Sequence, residues 1–233
     1  MQNLASFLLR NPEKNSLDKI RRLVYSKRKF TEKGSGIRVI MKESVKQRIL
    51  EKGAEIIHQK GYNHTGIQEI LDAAGIPKGS FYNYFKNKED FGLQVIDQFV
   101  AYFDGLASGI LNNHSFPPLE RVRKLLDSFI DFFRSKQYTL GCPIGNLGQE
   151  MGDLSDPFQK KLKWALDAMA GLYIRVLSEA QSKGDLPQGL DVRQTAFFLI
   201  ASWHGALIRM KIERSPEPLE DHKNFFFNRI FKK

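Results

Sequence analysis

Apolar residues recur every three or four positions along the chain from residue 42 onward, which is the period of an amphipathic α-helix. The first such run, KESVKQRILEKGAEIIHQK, ends at Gly61. Its apolar side is formed by Val45, Ile49, Ile56 and Ile57. A second short run, IQEILDAAG, follows Thr65, which stands where a helix N-cap belongs. Gly75 ends that run, and KGSFYNYF predicts a third short helix after a tight turn, an order typical of a helix-turn-helix module.

The helical pattern continues to the end of the chain. Asn87 is placed to cap a fourth helix that begins at Lys88, and the breaker HSFPP separates this helix from the rest. Further helices are predicted at 119–136, 144–151, 156–183, 191–213 and 217–231. Ser155 and Asp191 can cap two of them. Because no segment alternates as a strand does, the sequence predicts an all-α fold, with a three-helix helix-turn-helix domain before a larger helical domain.

Positive charge is concentrated at the N-terminus. The net charge is +10, and residues 1–40 hold ten Lys and Arg against three acids, which leaves +3 for the rest of the chain. We interpret residues 1–40 as a basic extension, either a flexible arm or helical near 16–30. Translation from Met41 is an alternative explanation. An argument for DNA binding must therefore come from the placement of individual residues.

Several classes of protein are disfavoured by composition. The single cysteine, Cys142, excludes an internal disulfide framework and suits a reducing compartment. No uncharged apolar run reaches the roughly 18–20 residues of a membrane-spanning helix, and the start of the chain has no basic leader, so we expect a cytoplasmic protein with no membrane partner. The five histidines are scattered, and no nucleophile elbow, P-loop, dinucleotide fingerprint or zinc spacing occurs. We expect neither an enzyme, nor a cofactor, nor a metal site.

The stretch GIPKGSFYNYFKNKED, residues 75–90, has the chemistry of a DNA-reading element. Lys78, Lys86 and Lys88 bring three positive charges before the first acid. A helix-turn-helix module places the start of its second helix in the major groove. There Gly79 would allow close backbone approach, and the Ser80 hydroxyl can donate or accept a hydrogen bond.

The remaining residues of this stretch divide between core and surface. Phe81 and Phe85 lie four positions apart and are expected in the core. The side chains expected at the surface are those of Tyr82, Asn83 and Tyr84. Lys88, at the start of the fourth helix, is suited to bind a phosphate together with the helix N-terminus, and Thr65 could do the same.

The segment GYNHTGIQEILDAAGIPKGSFYNYFKNKEDF resembles the DNA-binding module of the TetR family of bacterial transcriptional regulators. That family's pattern has a glycine-aromatic pair, a threonine, an I-A-x-x-A-G-V helix, then K-G-T-L-Y-x-H-F and K-E. The positions that match directly are Gly61, Tyr62, Thr65, Ile70, Ala74, Gly75, Lys78, Gly79, Tyr82, Phe85, Lys88 and Glu89. The departures are Ser80 for threonine, Phe81 for leucine, Tyr84 for histidine and Leu71 for alanine.

The resemblance implies roles for these residues position by position. Phosphate contacts are implied for Thr65, Lys78, Tyr82, Tyr84 and Lys88. Candidates for base edges are Ser80, Asn83 and Gln68. It also implies a TetR-type DNA-binding domain at 41–90 and an effector-binding and dimerisation domain at 91–233. Such a protein would repress transcription from a pseudo-palindromic double-stranded operator.

A homodimer is also predicted from the stretch DVRQTAFFLIASWHGALIRMK. One side of this helix carries Val192, Ala196, Leu199, Trp203, Leu207 and Met210. The other carries Phe197, Phe198, Ile200 and Ile208. A helix that is apolar all round must be buried on both sides, and a second subunit would cover the second side. A thick monomer core is the alternative.

Large side chains of the middle helices are spaced to face one interior. They are Phe99, Phe103, Phe129, Phe133, Trp164, Met169, Tyr173 and Trp203. The resemblance implies a pocket there for an unidentified small-molecule effector. We predict that it is formed by Phe103, Phe133, Trp164 and Trp203. An ordinary apolar core is the alternative.

The glycine-rich stretch LGCPIGNLGQEMGDLSD places Cys142 just before a short helix that begins near Ile144. A helix N-terminus lowers the pKa of a thiol and makes it more reactive. The stretch is similar to one in TetR relatives that respond to electrophiles or oxidants through a cysteine. We therefore predict that Cys142 is a sensor thiol, and an inert buried cysteine is the alternative.

A rival interpretation is an architectural protein that binds DNA without specificity through its basic N-terminal arm. Such a protein would show a steep dependence on salt and no preferred sequence. A specific regulator would keep a strong preference for its operator over random DNA.

Overall fold

The computed structural model describes residues 35–232, with side chains from Val45 onward. Its helices are α1 Ser35–Lys60, α2 Ile67–Ala74, α3 Lys88–Leu111, α4 Pro118–Ser135, α5 Pro143–Met151, α6 Asp156–Ser182, α7 Val192–Glu213 and α8 Glu217–Phe225. A 3₁₀ turn at Phe81–Asn83 stands where the third helix was predicted, and a π-helical turn at Phe226–Ile230 continues α8. No strand occurs within residues 35–232. The predicted all-α fold is confirmed.

The N-terminal extension is described only in part. Residues 35–40 belong to α1, which therefore begins earlier than the predicted start near residue 42. The predicted basic arm and the helix near 16–30 otherwise lie outside the described residues. The chain from Lys46 onward forms one compact unit, and every contact discussed below lies in it.

Three of the four predicted N-caps are confirmed. The side chains of Asn87, Ser155 and Asp191 accept hydrogen bonds from the backbone three residues on, at 2.8, 3.4 and 2.9 Å. The prediction for Thr65 is wrong, because Gly66 occupies the N-cap of α2. The Thr65 hydroxyl instead donates backwards to the carbonyl oxygen of Gly61 at 2.6 Å.

The long helices α3 and α6 pack along each other, and α6 also contacts α4, α5 and α7. An ion pair between a buried arginine and a partly exposed glutamate joins α4 to α6, where the Arg121 guanidinium lies 2.6 Å from the Glu179 carboxylate. Arg121 is only 1% exposed, and it also donates to the carbonyl oxygen of Leu111, at the end of α3, at 2.6 Å. This arginine therefore ties three helices together beneath the surface.

Helix α7 has one buried and one exposed apolar side. The predicted inner stripe is buried at Ala196, Leu199, Trp203, Leu207 and Met210, and half-buried at Val192. The residues of the outer stripe recur at helical spacing and are exposed: Phe198, Ala201, Gly205, Ile208 and Ile212. Ile200, predicted for the outer side, is buried instead. Phe198 is 53% exposed and Ile212 is 76% exposed, so residues 45–232 leave much of this apolar face uncovered.

Two negative findings apply to residues 35–232. None of these helices combines the length and apolar composition needed to traverse a bilayer. Over the same residues, no three or more His, Cys, Asp or Glu side chains are grouped so as to hold a metal ion.

Candidate nucleic-acid interface and effector half

The turn between α2 and the 3₁₀ segment is built by two glycines with left-handed backbones. Gly75 ends α2 with φ 64° and ψ 41°, and its amide and that of Ile76 bond back to the last carbonyls of the helix. Gly79 follows at φ 91°, and a Cβ there would meet no other atom within 4 Å. Glycine is therefore required at position 79 by the backbone angle, and the space above it stays open for an approaching ligand.

An aromatic cluster supports the segment Lys78–Tyr84 from the core side. Phe81, Phe85 and Phe91 are almost completely buried, with ring centroids 5.0, 5.1 and 5.7 Å apart. A Cβ at Gly53 would come within 2.2 Å of the Phe91 ring, so α1 packs closely against the same cluster. The exposed residues between the buried rings are thus carried on a rigid support.

Six of the nine predicted DNA-contacting residues lie on one continuous segment, Lys78–Tyr84. Tyr82 is 67% exposed, and Lys78, Gly79 and Asn83 are also exposed. Ser80 and Tyr84 are half-buried. Phe81, in the same segment, faces the core as predicted.

Two of the other predicted contact residues are restrained. Thr65 is 1% exposed, and its hydroxyl is engaged with Gly61, so the hydroxyl cannot reach a phosphate as predicted. Gln68 is exposed, but its amide donates to the Asp72 carboxylate at 2.7 Å. Thr65 therefore shapes the loop before α2 from inside.

Lys88 lies at the first position of α3, where its ammonium stands 4.4 Å from the centre of the Tyr62 ring. Partial burial lowers the pKa of Lys88, and the Glu150 carboxylate acts in the opposite direction. The start of α3 is closed by its own side chains, since Asp90 accepts from the Lys86 amide at 2.9 Å and Asn87 accepts from the Asp90 amide. Lys88 is the basic residue that the structure places in the first turn of α3.

Sequence reasoning missed two charged residues beside this interface. Lys46 of α1 places its ammonium 5.6 Å from the ring of Phe85, which directly follows the segment Lys78–Tyr84. Glu150 of α5 accepts hydrogen bonds from the amides of Tyr62 and Asn63 at 2.8 and 2.5 Å. Glu150 is 87 residues or more from these partners in the chain, so no local pattern could have identified it.

Comparison with known proteins identifies the family. Residues 49–95 match the model of bacterial regulatory proteins of the tetR family, and residues 118–226 match the tetracyclin repressor-like C-terminal domain. The HTH-type transcriptional repressor DhaR of Mycobacterium sp. strain GP1 is 36% identical over 186 residues, which are 80% of this chain and 92% of DhaR. The chain belongs to the TetR family of bacterial transcriptional regulators.

Solved TetR-family structures have the same fold. The regulatory protein TetR from Rhodobacter sphaeroides is 37% identical, with a TM-score of 0.74 over 78% of this chain and 96% of that one. The reduced form of NemR from Escherichia coli is 28% identical, with a TM-score of 0.73 over 81% of this chain and 99% of that one.

The four residues predicted to form an effector pocket do not line one interior. Phe133 and Trp203 are buried in the core. Trp164 is 47% exposed, so the prediction that it faces the interior is wrong. The Lys161 ammonium stands 4.6 Å from the Trp164 ring and pairs with Asp97 of α3, which holds the indole at the α3–α6 surface.

An open cleft of about 460 Å³ lies between α3 and α6. Phe103 and Trp164 both line it, together with Asp97, Asp104 and Met169. Phe103 also stacks on Phe129, with ring planes 2° apart and centroids 5.7 Å apart, and Phe129 contacts Trp203 at 6.4 Å. The aromatic residues therefore form a chain from the cleft into the core.

Cys142 occupies the N-cap of α5, as the sequence predicted, but the environment of its thiol differs from the prediction. Burial raises the pKa of the thiol, although backbone hydrogen bonds with Gly145 and Ile144 act in the opposite direction. The predicted lowering of the pKa is wrong, because desolvation outweighs the helix N-terminus. Desolvation therefore favours the neutral thiol over the thiolate in this conformation.

Proposed function

We propose that this TetR-family regulator is a cytoplasmic homodimeric repressor that reads a pseudo-palindromic operator with the segment Lys78–Tyr84. The observation that carries the proposal is the exposure of this acid-free segment on a buried support of three phenylalanines. A short, positively charged element of this kind can enter the major groove.

Roles within the segment follow from side-chain chemistry and exposure. Lys78, Tyr82 and Tyr84, with Lys88 behind them, contact phosphates and fix the register on the duplex. Ser80 and Asn83 can hydrogen-bond base edges in the groove. Gln68 has the same chemistry but must first give up its bond to Asp72.

The homodimer is supported by the exposed apolar stripe of α7. Phe198, Ile208 and Ile212 stand on this face with Ala201 and Gly205 between them, and the small residues allow a partner helix to approach closely. Phe225 of α8 is 50% exposed and adds to the apolar surface. A two-fold axis through this face would give two reading segments and hence a palindromic site.

Release from the operator is proposed to follow either a small-molecule ligand or modification of Cys142. The cleft shared by Phe103 and Trp164 supports a ligand with an apolar body. The similarity to NemR, solved in a reduced form, agrees with control through the thiol. Because burial raises its pKa, the Cys142 thiol would become more reactive after a movement that hydrates it.

Selection of preferred duplexes from a random pool by the full-length protein tests the proposal. We expect a two-fold symmetric site, bound about 10³-fold or more tightly than random DNA at physiological salt. Equal affinity for the selected and random duplexes would overturn the proposal in favour of non-specific binding. Reaction with N-ethylmaleimide, with Cys142→Ser as the control, then tests whether the thiol controls release.

A further inference from the structure

The segment 141–151, which contains Cys142 and α5, is hydrogen-bonded near both of its ends to residues 58–63, where α1 ends and the loop before α2 begins. At the first end, His58 Nε2 lies 2.7 Å from the carbonyl oxygen of Gly141. At the second, the Glu150 carboxylate bonds the amides of Tyr62 and Asn63. His58 lies in the last turn of α1, and the two amides belong to the loop that leads into α2.

The contact at Gly141 requires a particular form of His58. A carbonyl oxygen only accepts hydrogen bonds, so Nε2 carries the hydrogen and donates. Burial lowers the pKa of His58, and nearby Lys211 acts in the same direction, so the ring is neutral near pH 7. This contact is a directional hydrogen bond between α1 and the chain next to Cys142.

The contact at Glu150 uses both carboxylate oxygens. Oε2 accepts from Tyr62 and Oε1 from Asn63, so one side chain fixes two consecutive peptide groups. Gly61 makes this approach possible, because a Cβ at position 61 would lie 2.8 Å from Oε2. Its φ of 90° also favours glycine. The loop is thus shaped to receive the carboxylate.

The loop that Glu150 holds is itself compact and leads directly into α2. Thr65 donates to Gly61 through its hydroxyl, and its amide bonds to the Tyr62 carbonyl at 3.2 Å. The Tyr62 ring is buried against Phe158 at 5.0 Å, and its face carries the Lys88 ammonium. A displacement of the Tyr62 and Asn63 amides would therefore be passed to α2 and to a proposed phosphate-binding lysine.

We propose that Glu150 is a positioning residue for DNA reading, which couples the segment 141–151 to the placement of α2 and of Lys78–Tyr84. This inference rests on the proposed function, since it requires an operator-bound state. Coupling between two sites is reciprocal. Operator binding must therefore change the local stability of residues 141–151, and removal of the Glu150 charge must remove that change.

Hydrogen–deuterium exchange of the full-length protein, with and without its selected duplex, tests the coupling. Saturation with DNA is verified in each sample by fluorescence anisotropy. In the wild type we expect the operator to change the exchange rates of peptides from 141–151 by at least about fivefold, the low end of allosteric couplings. In Glu150→Gln the change should fall below about twofold at saturating DNA. The glutamine side chain has no charge, and its NH₂ group would face one of the two backbone N–H groups of Tyr62 and Asn63, so that two donors would meet. Gln149→Ala, an exposed neighbour on α5, should behave as the wild type.

A second variant approaches the same contact from the loop. Gly61→Ala keeps Glu150 but places a methyl group against Oε2, and it should lose the operator-dependent change as well. A merely structural role would raise exchange in the free variants while preserving the ratio between free and bound protein. That result, or a wild type that binds its duplex with no change at 141–151, would overturn the coupling alone. A wild type that prefers no duplex would overturn the proposed function, and the coupling with it.

Discussion

The ammonium of Lys88 rests on the face of Tyr62, 4.4 Å from the ring centre, at the start of the helix that follows the reading segment. The contact keeps the Lys88 ammonium partly out of water, next to the segment Lys78–Tyr84 that is proposed to bind DNA. A cation over an aromatic ring gains roughly 0.5–2 kcal/mol, which is small enough for a phosphate to draw the lysine away.

Lys88→Ala should weaken binding to operator and random duplexes by the same factor. The lysine is proposed to contact a phosphate, which carries no sequence information. Each lost phosphate contact lowers the slope of log K against log salt by about 1, so a dimer should lose about 2. Titrations at several salt concentrations measure the slope, and Lys163→Ala, an exposed lysine of α6, is the control. An unchanged slope would contradict the phosphate role.

Asn83→Ala should alter sequence preference and leave the salt slope unchanged. Asn83 is exposed on the 3₁₀ turn, where its amide can pair with a base edge. Loss of that pairing should cost about 1–3 kcal/mol at one base pair of each half-site, and much less on random DNA. Competition binding with singly substituted operators measures the effect. A uniform loss across all duplexes would assign Asn83 to phosphate contact.

Phe198→Glu or Ile208→Glu should dissociate the proposed dimer. In a two-fold interface each substitution acts twice, so about 2 kcal/mol per copy shifts the dimer dissociation constant roughly 10³-fold. Sedimentation velocity measures the dissociation. Leu154→Glu is the matched control, since Leu154 is an equally apolar residue, 67% exposed, that lies off this stripe. Dimers that persist in both α7 variants would place the interface elsewhere.

Glu179→Gln should cost more stability than Arg121→Met. The glutamine variant leaves the buried Arg121 charge without its partner, at a cost on the order of 3 kcal/mol. The methionine variant removes the buried charge, while Glu179 keeps its contact with Lys183 at 2.8 Å. Urea denaturation at pH 7 gives both free energies of unfolding. The reverse order would mean that the Arg121 charge is better solvated than its 1% exposure indicates.

Stability should fall between pH 6.5 and pH 4 through His222, which joins α7 to α8. Burial lowers the pKa of His222 to about 4, partly offset by a hydrogen bond to the Leu199 carbonyl. Its Nδ1 is buried and has no hydrogen-bond partner among the described residues, so a proton there would be unsatisfied. The unfolded chain takes up this proton near pH 6.5, so it binds more protons than the folded protein in this window.

The expected loss from His222 alone is on the order of 3 kcal/mol by pH 4. Urea denaturation from pH 7.5 to pH 4.5 follows it, with carboxylates and other histidines adding their own terms. His222→Gln should flatten the pH dependence relative to the wild type, and His64→Gln, at an exposed histidine, should not. Parallel curves for the wild type and His222→Gln would contradict the assignment.

Local signals in the sequence were sufficient for the helices from Lys88 onward and most of their starts, but not for the predicted third helix, which is a 3₁₀ turn. Asn87, Ser155 and Asp191 cap as predicted, because an N-cap depends on a side chain and a backbone amide three residues away. Thr65 fails because the chain turns back at Gly61, and the hydroxyl finds a nearer acceptor there. Which hydrogen-bond partner the Thr65 hydroxyl takes depends on the geometry of the loop, which a short sequence pattern does not predict.

The side-chain environments of the C-terminal helices were less predictable, since they depend on packing between distant segments. Trp164 has the spacing of an interior residue, but Lys161 and Asp97 hold it at the surface. Cys142 has the position of a reactive thiol, but its burial outweighs the helix N-terminus. The exposure of Trp164 and the direction of the Cys142 pKa shift both depend on tertiary packing, which hydrophobic periodicity does not report.

The fit of the Glu150 carboxylate over Gly61 has a consequence for protein engineering. A chimera that joins the N-terminal domain of one relative to the C-terminal domain of another takes residue 61 from one parent and residue 150 from the other. Any parent whose loop carries a side chain at position 61 would collide with this glutamate, however well the two halves fold alone. Functional hybrids should therefore be selected for inheriting both positions as a matched pair.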